Sequence, residues 1–78
     1  MGQTCYRFKY AFSETMKCFY AVDAPRWFLE AEHAGYIRLW SDDEEPYLMV
    51  SGMRANPGDW IVRESFNRFG VRKLPALV

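Results

Sequence analysis

His33 is the only histidine in the chain, so any acid–base relay or catalytic triad would have to run through it. It stands three residues after Glu30 and beside Glu32. None of the serines has a nucleophile motif: Ser13, Ser41, Ser51 and Ser65 fall at expected turns or strand ends. The reading is an exposed histidine on a helix, and catalytic residues are expected to be none. Cys5, Cys18 and His33 make three metal-capable side chains. A structural zinc wants four ligands in tight local pairs, and this spacing supplies neither. The run Asp42, Asp43, Glu44, Glu45 is dense in carboxylates but lacks the alternation and the glycine of a calcium loop. It reads as a solvated loop, or as a contact for a basic partner surface. The five glycines are scattered and none opens a helix, so no phosphate cradle is present. No metal or other cofactor is expected.

The remaining chemistry is that of binding. "YRFKYAF" (residues 6–12) interleaves aromatics with cations, as single-strand-binding sheets do. Together with Arg7 and Lys9, the carboxy-terminal Arg63, Arg68, Arg72 and Lys73 form one candidate set for nucleic acid. A second candidate is Trp40 beside the acidic run Asp42–Glu45. There an aromatic anchor would sit at a charged rim.

These residues must be positioned by one small domain. The chain has 78 residues, net charge zero and 18% aromatics. A chain this short buries little over half of its unfolded surface, and large side chains compensate. The charges are segregated: +2 over residues 1–22, −5 over 23–45 and +3 over 46–78. A neutral total argues against a general nucleic-acid coat, which needs a surplus of cations. No run of roughly 18 apolar residues exists, and the amino terminus lacks a signal-peptide core. The expected compartment is a cytoplasm, where two cysteines do not make a disulfide framework.

Period-two alternation predicts a strand over "TCYRFKYAF", with Tyr6, Phe8, Tyr10 and Phe12 on one face and Cys5, Arg7, Lys9 and Ala11 on the other. A turn at Ser13-Glu14 would return the chain through "TMKCFYAV". Phe19 would then face Phe8, Ala21 would face Tyr6 and Cys18 would face Lys9, which keeps Cys18 from bridging to Cys5. Asp23 is a suitable N-cap, Pro25 fits a first turn and Gly35 a stop. Between them Ala24, Trp27, Phe28, Ala31 and Ala34 share a helix face, with Arg26 and Glu30 paired outward. "YIRLW" and "YLMV" read as strands, the second running on toward Arg54. Asn56-Pro57-Gly58-Asp59 fits a type II turn, which twists the wrong way for a tight hairpin and so predicts a change of direction between sheet sections. Asp59 would cap backbone N–H groups there. "WIVRES" and "RFGVRKL" complete the strands around a turn at Phe66-Asn67. The fold class is α+β: a single domain over 1–78, built on an antiparallel sheet of four to six strands with one helix packed on one face.

The carboxy-terminal half, "GMRANPGDWIVRESFNRFGVRKLP", resembles a family of short proteins encoded by bacteriophages and prophages. Their signature reads P-G-D-[WY]-[IV]-[IV]. Pro57, Gly58, Asp59, Trp60, Ile61 and Val62 match it, Gly52 matches an upstream glycine, and Arg63 and Lys73 stand at positions that are often basic. The resemblance covers about residues 46–75 and departs at "FNR", where the family carries Gly-Glu. It implies a phage-type accessory protein in the host cytoplasm and brings no catalytic residues with it. The expected function is therefore non-catalytic: binding a host protein, with inhibition of host defence or other machinery as the analogous role. The alternative is a small nucleic-acid-binding module. A homodimer is compatible with either, and no membrane partner is expected.

Overall fold

The computed structural model describes residues 4–42 and 45–73. The elements run β1 (Cys5–Arg7), β2 (Tyr10–Ser13), β3 (Cys18–Ala21), α1 (Arg26–Ala34), β4 (Ile37–Ser41), β5 (Pro46–Val50), β6 (Met53–Ala55), β7 (Trp60–Ser65) and β8 (Arg68–Arg72). The α+β class and the one helix agree with the sequence. The single sheet of four to six strands does not. The strands form three antiparallel sheets, ordered β1-β7-β8, β2-β3 and β4-β5-β6. β8 lies against β5 and β6, and β3 against β4, so the three pieces wrap around one core. One flat sheet under a nine-residue helix would leave much of its apolar face uncovered. Breaking the sheet lets short strands cover the core from several sides.

The break falls inside the aromatic run. The predicted strand from Thr4 to Phe12 is interrupted at Phe8-Lys9, so that β1 pairs with β7 while β2 pairs with β3. Phe8 is fully buried and lies outside both strands. Its N–H donates to the Asp59 carbonyl at 2.9 Å, and its carbonyl accepts from the Gly58 N–H at 2.9 Å. The hairpin register also differs from the expected one. Phe12 faces Phe19, Tyr10 faces Ala21 and Cys18 faces Ser13. The turn is longer than Ser13-Glu14 because the Lys17 N–H closes on the Ser13 carbonyl at 2.7 Å, with Lys17 at φ 57°. The shift is an even number of residues, so every side chain keeps its predicted face. Tyr6 and Phe8 are core, whereas Tyr10 and Phe12 are 36% and 45% exposed. Cys5, opposite Val62 in a different sheet, and Cys18 are both exposed and unbridged.

The helix begins later than Asp23 suggests. Pro25 occupies the N-cap position and no side chain caps the end. A residue before proline is driven to extended backbone, so Ala24 separates Asp23 from the helix. Asp23 instead takes a left-handed conformation at φ 57°. The carboxy-terminal stop is as expected. Gly35, at φ 93°, donates to the Glu32 carbonyl, and Tyr36 N–H donates to the Ala31 carbonyl at 2.9 Å. The buried stripe is narrower than predicted: Trp27, Phe28 and Ala31 are buried, Ala24 half-buried and Ala34 exposed. Arg26 and Glu30 pair outward at 3.3 Å. Phe28 meets the Tyr6 ring at 4.9 Å, and Trp27 stacks on Phe69 at 6.0 Å, so the helix rests on the inner face of the first sheet.

The Tyr6 hydroxyl donates to the Val22 carbonyl at 2.6 Å, tying β1 to the end of β3. Burial pushes this phenol above its ordinary value of 10.0; the Lys9 backbone hydrogen bond opposes the rise, and the Asp23 and Glu32 charges add to it. A raised pKa means the neutral phenol belongs to the native state. Its contribution is fully present below the unfolded value and is lost as pH climbs through the folded one. The stability margin of the parent over Tyr6→Phe should therefore be constant below about pH 10 and shrink above it. Urea titrations at stepped alkaline pH read this directly, and a margin that grows with pH would exclude it.

"YLMV" does not run on to Arg54. The chain reverses at Ser51-Gly52, where both residues have positive φ, 51° and 84°. This is the two-residue hairpin geometry whose twist matches its strands, and it sets Val50 opposite Met53. Asn56–Asp59 is the type II turn expected: Gly58 has φ 95°, and Asp59 N–H donates to the Asn56 carbonyl at 3.0 Å. It carries the chain from the third sheet into the first. A β-branched residue resists φ near 95°, so Gly58→Val should cost about 1–3 kcal/mol. An unchanged melting temperature would contradict this.

A candidate protein-binding face on the third sheet

The outer face of β4-β5-β6 follows from alternation. Ile37, Leu48, Val50 and Ala55 point into the core and are fully buried. Their neighbours Arg38, Trp40, Tyr47, Met49 and Arg54 point out. The register places Trp40 opposite Tyr47 and lines up Arg38, Met49 and Arg54 across the three strands. Trp40 is 49% exposed. Its place on this face answers a question the sequence left open, since a tryptophan ending a strand fits core and surface equally well.

Arg54 organises the face. Its guanidinium lies 4.0 Å from the Tyr47 ring centroid. Its Nε donates to Asn56 Oδ1 at 3.1 Å, and its Nη2 reaches Asp42 Oδ2 at 3.4 Å. Both partners of that ion pair are about half exposed, so its net contribution is at most about 1 kcal/mol. Its consequence is positional: the first residue of the acidic run is turned toward the aromatic face. Glu45, at the other end of the run, is exposed. Asp43 and Glu44 lie outside the described residues. Trp, Tyr, Met and Arg are the residue types enriched at protein interfaces, and they are gathered here with carboxylates at one border. Tyr47, Met49, Arg38 and Arg54 were not singled out by the sequence. Period-two alternation in "YIRLW" and "YLMV" held the signal for the first three. Arg54 needed the Ser51-Gly52 reversal to be seen.

The six basic residues proposed for nucleic acid do not form one surface. Arg7 and Arg72 flank Trp60 across β1-β7-β8 on the outer face of the first sheet. Arg63 lies on the other side of that sheet, beside Phe66. Arg68 opens β8 at the far end of the β7–β8 hairpin from Arg72. Lys9 follows Phe8 in the link between the first two sheets. Lys73 is engaged: its ammonium donates to Asp59 Oδ2 at 2.8 Å and to the Arg54 carbonyl at 2.9 Å.

His33 is exposed in the last helical turn. It borders a shallow depression with Glu32, Arg38 and Trp40. Burial pushes the Glu32 carboxyl above its ordinary value. Among the described residues no group of three His, Cys, Asp or Glu side chains converges as a metal site would require. Among them too, no helix is long and apolar enough to cross a membrane. No protein-family model, no curated protein and no solved structure matches this chain.

Proposed function

We propose that this is a non-catalytic accessory protein of the phage type, acting in a host cytoplasm by binding a host protein through the outer face of β4-β5-β6. The observation that carries the reading is the half-exposed Trp40, cross-strand from Tyr47, whose ring Arg54 covers while hydrogen-bonded to Asn56. A rigid aromatic next to a preorganised arginine loses little side-chain entropy on binding, which is the character of interface hot spots. The acidic run, whose Asp42 reaches Arg54 on this face, would steer a basic partner surface and speed encounter. Inhibition of the bound machinery follows only by analogy with small phage proteins.

Affinity capture from a bacterial lysate identifies the partner, and kinetics on the purified pair test the surface. Trp40→Ala should accelerate dissociation about 30-fold, corresponding to about 2 kcal/mol. Neutralising Asp42, Asp43, Glu44 and Glu45 to Asn or Gln should slow association and flatten its salt dependence. If both folded variants bind like the parent, this face is not the interface. The second reading, a nucleic-acid-binding module, is favoured by Arg7 and Arg72 flanking Trp60. It requires oligonucleotide binding that weakens steeply with salt and with charge reversal at those two arginines.

A further inference from the structure

A cleft of about 180 Å³ lies between α1 and the β7–β8 hairpin, bordered by Trp27, Ala31, Tyr36, Arg63, Phe66 and Phe69. It shares no residue with the face described above. Its walls are aromatic and mutually braced: Trp27 lies nearly parallel to Phe69, with ring planes 16° apart, and Tyr36 packs against the same Phe69 ring at 5.8 Å. Among the described residues, two side chains that border this cleft carry donors with no acceptor. Trp27 is 8% exposed, and its buried indole N–H makes no hydrogen bond. Arg63 is half-buried and, among the described residues, makes no ion pair; its guanidinium stands 5.9 Å over the ring of Phe66. Phe66 itself is 84% exposed at the hairpin turn. Glu30 also borders the cleft, but its carboxylate is engaged outward by Arg26 at 3.3 Å.

Size and charge together select a ligand class. An apolar cavity of about 150 Å³ accepts one benzene ring, so this cleft suits a single ring with a short substituent. A lone guanidinium matches one carboxylate through two parallel N–H bonds. A phosphate dianion would bring more charge than one arginine offsets, with Glu30 nearby. We propose that the cleft binds a small aromatic carboxylate, its ring against Trp27, Tyr36 and Phe69, its carboxylate on Arg63, and Phe66 at its rim.

Phenylacetate is the probe, and the three tryptophan indole N–H signals in two-dimensional nitrogen–proton NMR of the full chain are the readout. The Trp27 signal should shift saturably at millimolar phenylacetate, while those of Trp40 and Trp60 stay in place. Phenylacetamide, of the same shape without the charge, should bind at least about tenfold more weakly, and acetate should not move Trp27 at all. Arg63→Met should abolish the preference for carboxylate over amide. If that variant does not fold, Arg63→Lys, which keeps the charge but not the fork, should reduce it instead. Equal affinity for phenylacetate and phenylacetamide, no saturable Trp27 shift, or equal shifts at all three indoles would overturn the proposal.

Discussion

Phe8→Ala should remove about 3–5 kcal/mol of folding stability, the range for emptying a buried phenylalanine site. A domain of this length holds roughly 4–12 kcal/mol in total, so the variant should be largely unfolded in mild urea or at modest temperature. The size of the effect has two sources. Phe8 is fully buried among side chains from the helix and the sheets. Its backbone is also the point where the first strand leaves one sheet for another, held by both its N–H and its carbonyl to the Asn56–Asp59 turn. A cavity there removes contacts on the inner faces of sheets that share few hydrogen bonds with one another. Phe8→Leu, which keeps most of the volume, should cost less than half as much. Urea unfolding followed by circular dichroism measures both. A loss below about 1 kcal/mol for Phe8→Ala would mean that the core closes without it.

Asp59→Ala is the second large effect, at about 2–3 kcal/mol. Asp59 is 8% exposed, and its Oδ2 accepts the Asn56 N–H at 2.8 Å and the Lys73 ammonium at 2.8 Å. Hydrogen bonds to a charged acceptor are worth about 1.5–3 kcal/mol, and alanine would leave the turn N–H without its acceptor. The ion pair is the smaller part, because the Lys73 side chain is 55% exposed and screened by water. Lys73→Ala should therefore cost at most about 1 kcal/mol, and Asp59→Asn, which retains an acceptor, less than Asp59→Ala. Equal losses for Asp59→Ala and Lys73→Ala would assign the stabilisation to the ion pair instead of the cap. Asp59 and Trp60 lie in the Asn56–Trp60 stretch, which joins the third sheet to the first and is held to Phe8 by two backbone hydrogen bonds.

The comparison of sequence with structure turns on range. Local backbone chemistry was legible. Gly35 ends the helix because only a left-handed residue closes its last carbonyls, and Gly58 makes the type II turn because proline precedes it. The β7–β8 hairpin around the turn at Phe66-Asn67 follows from local pattern. So do the faces of Tyr6, Phe8, Phe12 and Phe19, which survived a wrong register because an even shift leaves parity intact. Pairing partners were not legible. Tyr6, Phe8, Tyr10 and Phe12 read as one strand, yet two of them are core and two are half exposed. Nothing local marks Phe8 as the residue that bonds to a turn fifty positions later. The same holds for Trp40: its exposure depends on which face of β4-β5-β6 meets the core, and its Arg54–Asp42 neighbourhood depends on a reversal at Ser51-Gly52. The cleft beside Arg63 needs two segments nearly thirty residues apart in the chain at once. Side-chain periodicity and turn dihedrals are set within a few residues, so this sequence determined its elements and their faces. Which strands pair, where the sheet breaks and which aromatics stay in water depend on contacts between distant segments, and those only the tertiary structure decided.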